Sequence, residues 1–112
     1  MKVVIDPAIE KNPEVLDAVR QGNTSLAGML DLHGDDVEVS WAFRPNRPDL
    51  TLLTIRSLDD ATAEAFTIMP LSILTSDMRR DIAIGGTVSR WADQKFLVHH
   101  HRLRELLAAT KD

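Results

Sequence analysis

Three short stretches of the chain hold the side chains best suited to chemistry. In "MLDLHGDD", Asp31, His33 and Asp35, with Asp36 behind them, offer carboxylate and imidazole ligands within six positions. Those are the donor types that hold zinc or manganese, so Asp31, His33 and Asp35 are weak candidate metal ligands. In "VHHHR", His99, His100 and His101 are consecutive. Neighbours on a helix point about 100° apart, so the three cannot share one ion, and His99 is expected on a buried stripe. In "SWAFRPNRPDLTLL", Arg44 and Arg47 stand on a loop stiffened by Pro45 and Pro48. Guanidinium groups favour carboxylate or phosphate partners, and a stiff loop loses little entropy on binding. Arg44 and Arg47 are therefore candidate partner-binding residues. The plainer expectation is that Arg44 is the solvent-facing end of a strand and Arg47 a loop charge.

The Asp31-Leu32-His33-Gly34 string resembles the first metal-binding motif of calcineurin-like metallophosphoesterases. There the carboxylate and imidazole bind one metal of a pair that clamps phosphate and activates water. The resemblance covers four residues. The family's later motifs, Gly-Asp followed by an aspartate, Gly-Asn-His and Gly-His-x-His, have no counterpart, and the chain is too short for that fold. A solvated turn ahead of the next strand is the preferred expectation, with a small metal-binding protein or hydrolase centred on Asp31 and His33 as the alternative.

Other chemistries find less support. No serine sits in an activating context such as Gly-x-Ser-x-Gly. Adjacent carboxylates at Asp35 and Asp36, and at Asp59 and Asp60, are turn residues. Arg90, Lys95, Arg102, Arg104 and Lys111 make the C-terminal segment mildly basic, yet they do not form one stripe. "GTVSRW" resembles the recognition helix of helix-turn-helix repressors but lacks the upstream alanine-then-glycine spacing. A nucleic-acid-binding regulator working through the C-terminal helix is a distant third reading, and nucleic acid is not an expected partner. A net charge of -4 has the wrong sign for it. Without cysteine there are no disulfides and no thiolate sites. No run is apolar enough for a membrane span and no leader is apparent, so the expected location is the cytoplasm. No cofactor is expected.

These residues need elements to position them. With 112 residues, 44% of them apolar and 27% charged, the chain suits one folded domain over 1–112. "KVVID" is a strand closed by Pro7. Asn12 and Pro13 start a helix that Gly22 is expected to stop, and "TSLAGMLDL" reads as a second short helix or a strand. In "DVEVSWAFR", Val37, Val39, Trp41 and Phe43 alternate with polar residues, one face inward. "LTLLTIRSL" is the return strand, apolar on both faces and so central, reached by a connection longer than a two-residue turn. Glu64 to Met69 is a third strand that Pro70 ends. Beyond it, Leu71, Leu74, Met78 and Ile82 form a helical stripe. Gly85 and Gly86 are expected to break that helix, and Thr87 to cap another with Val88, Trp91, Ala92, Phe96, His99, Leu103 and Leu106 along one side. A β-hairpin turning at the two glycines is the competing reading.

The expected fold is α+β: a small, mainly antiparallel β-sheet over about residues 36–69, with an N-terminal strand, packed against a C-terminal αα-hairpin. The expected function is a non-catalytic protein–protein interaction module, such as an adaptor, a regulatory subunit or a small acidic chaperone. Its expected partners are itself, as a homodimer, and another protein. Leu97 and Leu107 widen the last helix's apolar surface beyond one stripe, which makes them candidate contacts of the dimer.

Overall fold

The computed structural model describes residues 1–31, 36–59 and 63–109, of which 96–109 by backbone alone. It is an α+β fold with the element order β1 (Lys2–Ile5), α1 (Pro7–Glu10), α2 (Pro13–Asp31), β2 (Val37–Arg44), β3 (Arg47–Ser57), β4 (Glu64–Pro70), α3 (Leu71–Leu74) and α4 (Asp77–Ala109). The four strands form one sheet in the order β1-β2-β3-β4. β1 pairs parallel with β2, and the helices α1 and α2 make the crossover between them. β2, β3 and β4 follow as an antiparallel meander.

The helix starts follow the local chemistry. Asp6 caps α1, its carboxylate accepting from Ala8 N–H at 3.0 Å, with Pro7 pre-set for the first turn. Asn12 does the same for α2, accepting from Val15 N–H at 3.3 Å ahead of Pro13. Gly22 does not stop this helix. α2 runs through it to Asp31, so "TSLAGMLDL" is the second half of one helix. The reason is packing: a Cβ on Gly22 would lie 3.1 Å from the Trp41 ring and 3.3 Å from Ile84, so glycine lets α2 approach the sheet and α4.

The β2–β3 connection is also shorter than expected. Pro45 and Asn46 alone form it, with Asn46 at φ 62°. Proline followed by a left-handed asparagine is the pattern of a type II turn. Arg47 and Pro48 therefore belong to β3, and a register shift beside Phe43 and Arg44 absorbs the irregular start of that strand.

The core lies between one sheet face and the helices. Val37, Val39 and Trp41 of β2, Leu53 and Ile55 of β3, and Met69 of β4 meet Val19, Leu26, Ile84, Val88 and Trp91. Both indoles are fully buried with their N–H groups satisfied. Trp41 Nε1 donates to Asn23 Oδ1 at 2.7 Å, and Trp91 Nε1 to Ser57 Oγ at 3.0 Å.

The helical cover departs from the expected hairpin. Its break falls at Thr75 and Ser76, and α4 is then continuous for 33 residues, about 50 Å of axis. Gly85 and Gly86 lie inside it, and Thr87 is buried within it, its hydroxyl donating to the Ala83 carbonyl at 2.8 Å. Glycine costs a helix interior only about 1 kcal/mol, which flanking turns packed on the sheet easily outweigh. The buried stripe also differs. Leu74, Ile84, Val88 and Trp91 face inward, whereas Met78 and Ile82 are 76% and 69% exposed.

Candidate interaction face

Strand alternation gives the sheet two faces, and the helices cover only one. Register places the other face in rows across the strands. Lys2, Glu38, Arg56 and Glu64 share a row, then Val4, Ser40, Thr54 and Phe66, then Ala42, Leu52 and Ile68. The first row alternates in charge. Glu38 receives Arg56 Nη2 at 2.9 Å and Lys2 Nζ at 3.6 Å. Like charges are kept apart and opposite ones adjacent, the favourable cross-strand order.

The next two rows are largely apolar and open. Phe66 is 57% exposed, and Ile68 and Val4 are exposed as well. In β4 the inward set is Ala65, Thr67 and Met69, so Phe66 and Ile68 face away from the core. Leu52, Phe66 and Ile68 form the floor of a shallow groove of about 490 Å³, walled by Arg44 and Pro45 at one end and bounded by Glu64 at the other. Arg44, the last residue of β2 beside the turn at Pro45 and Asn46, thus lines that end of the groove.

Arg44 and Arg47 have different situations. Arg47 grips Asp49 with two hydrogen bonds of 3.0 and 2.9 Å. That pairing raises the Arg47 pKa, and it holds the Asp49 carboxyl below its ordinary value. Arg47 is thereby engaged within its own strand. Arg44 is exposed and, among the described residues, has no ion-pair partner; the same holds for Glu64.

The free edge of β4 is partly covered. Arg90 of α4 donates from Nη2 to the Phe66 carbonyl at 2.9 Å, occupying an acceptor that an added strand would need. A second concavity, of about 180 Å³, lies between α2 and the α3–α4 turn, lined by Glu14, Asp17, Gln21, Asp77 and Arg80. Arg80 is buried there and joins three helices. It donates to the Leu74 carbonyl at 3.2 Å, to Gln21 at 3.3 Å and to Asp77 at 3.1 Å. Those bonds make it a structural clamp.

Of the candidate metal ligands, Asp31 is the exposed last residue of α2, while His33 and Asp35 lie outside the described residues. Among the described residues no three His, Asp or Glu side chains are placed to hold a metal ion. Leu97, Leu107 and the three consecutive histidines fall on the helical backbone of α4, with side chains outside the described set. No helix of the described residues is long and apolar enough to cross a membrane.

Leu52, Phe66 and Ile68 were not legible as site residues. The available signal was a return strand apolar on both faces, which fits a central strand equally well. No family model, curated protein or solved structure matches the chain, so its own outer sheet face is the ground for a functional reading.

Proposed function

We propose that the chain is a non-catalytic protein–protein interaction module that docks a protein partner on the outer face of its sheet. The observation that supports this most is the apolar floor of half-buried Leu52 and exposed Phe66 and Ile68 between Arg44 and Glu64. An apolar patch with a polar rim is the anatomy of a protein interface. The side chains at its ends are hydrated charges, suited to orienting a partner rather than to acid–base chemistry.

A photo-crosslinking residue placed at position 66 in the native cell tests this. Protein adducts should form from position 66 and disappear when Ile68→Glu is added. Adducts that form equally from position 78, on the exposed side of α4, would refute a site on the sheet, as would no adduct from position 66.

A further inference from the structure

We infer that the occupant of this face is a second copy of the chain, seated face to face about a two-fold axis that crosses β3 between Leu52 and Thr54. The inference rests on the docking role proposed above and names its partner. Its ground is the charge pattern of the groove. Arg44 lies at one end and Glu64 at the other, and neither has an ion-pair partner among the described residues. Arg47, Arg56, Lys2 and Glu38 are by contrast all paired within the chain. A surface that is positive at one end and negative at the other is complementary to itself when turned end for end. Because Arg44 ends β2 and Glu64 starts β4, the two-fold axis that makes that turn runs oblique to the strands, at right angles to the Arg44–Glu64 diagonal, and it brings each Arg44 to the second copy's Glu64.

The floor fits the same operation. Phe66 and Ile68 are neighbours on one face of β4, and Thr54 and Leu52 are their partners on β3. The axis passes over β3 between the two rows, so Phe66 of one copy is carried to the Leu52 and Ile68 end of the other's floor. A large ring then meets a smaller aliphatic side chain, and Phe66 does not stack on its own copy. Two sheets pack about 10 Å apart when side chains interdigitate in this way.

Area sets the strength. Four strands and three rows of side chains cover roughly 15 by 20 Å, which buries on the order of 300–400 Å² per copy. A standard stable interface takes about 800 Å² per partner, so the dimer belongs to the weak, reversible class.

Sedimentation equilibrium of the full chain from low micromolar to near-millimolar concentration should show a monomer passing to a dimer. Arg44→Glu alone and Glu64→Arg alone should each weaken the dimer about tenfold, as two repelling contacts replace two attracting ones. An equimolar mixture of the two single variants should restore dimerisation, because each then presents the charges the other lacks. Phe66→Glu should give a folded monomer; if it fails to fold, the charge variants, at exposed positions, still decide the matter. A monomer at every concentration would overturn the inference. So would a dimer indifferent to these substitutions, with Leu97→Glu and Leu107→Glu then locating the interface on α4. Crosslinks from position 66 to a different protein, with the chain monomeric, would overturn self-pairing and leave the docking role standing.

Discussion

Single residues in this protein are settled by whether a polar atom finds a partner. The Trp41 indole is buried, and its N–H depends on Asn23 Oδ1. Asn23→Ala leaves that donor unsatisfied in the core and should cost about 1–3 kcal/mol, read by urea unfolding. In a Trp91→Phe background, Trp41 emission should be blue-shifted when native and red-shift on unfolding. A water-like native spectrum would contradict the sheet register, since a one-residue slip turns the whole inner set outward. Arg47 and Asp49 are exposed, and their pairing acts on titration. The Asp49 carboxyl is lowered first by its hydrogen bonds to Arg47. A depressed carboxyl stabilises the fold above its unfolded pKa, and that contribution is lost as pH falls through the folded value. Carboxyl NMR titration should show Asp49 below the ordinary aspartate range, and Arg47→Gln should move it upward.

At the scale of elements, glycine distinguishes a continuous helix from a broken one. A helix-ending glycine in a left-handed conformation is destabilised by alanine, whereas an open helix-interior glycine is stabilised by it. A Cβ on Gly28 would meet nothing within 4 Å, and on Gly86 only Arg90 at 3.8 Å. Gly28→Ala and Gly86→Ala should therefore each add about 0.5–1 kcal/mol, measured by thermal or urea unfolding. Gly22→Ala should lose stability instead, because its Cβ would press on Trp41 at 3.1 Å. A loss at Gly86 would bring back the helix break that its sequence suggests. Elements with local punctuation are legible in the amino-acid pattern alone. Asn12 and Pro13 start α2, Val37 to Phe43 alternate as β2, and Pro70 ends β4. The glycines and the Pro45 turn are misleading there because their meaning depends on what lies across from them.

For the whole molecule, Arg80 is the joint between helices. It reaches α2 through Gln21 and α3 through the Leu74 carbonyl, from its own place near the start of α4. Arg80→Leu strands a buried carbonyl and empties part of the site, and should cost on the order of 2 kcal/mol or more. Asp77→Asn should change far less, because that carboxylate is 80% exposed. Equal losses from the two substitutions would show that the ion pair, not the carbonyl bond, carries the joint. Among the described residues the sheet has one covered and one open face, and the proposed function rests on the open one.

What the sequence by itself determined is periodic and local. Alternation made strands, spacing near 3.6 made helices, and Asn12, Pro13 and Pro70 marked ends, because those signals arise from backbone sterics and hydrogen bonding within a few residues. That was enough for the α+β class and for a sheet over about residues 36–69 with an added N-terminal strand. Which side of β4 is covered was not local. Phe66 and Ile68 alternate with Ala65 and Met69, and either set could have gone inward. The choice fell to the helices: Ala65 and Met69 join Ile84, Val88 and Trp91 of α4 in the core, and Phe66 and Ile68 stay open. The outer groove, and the position of Arg44 at one end with Glu64 at the other, exist only once strands distant in sequence lie side by side.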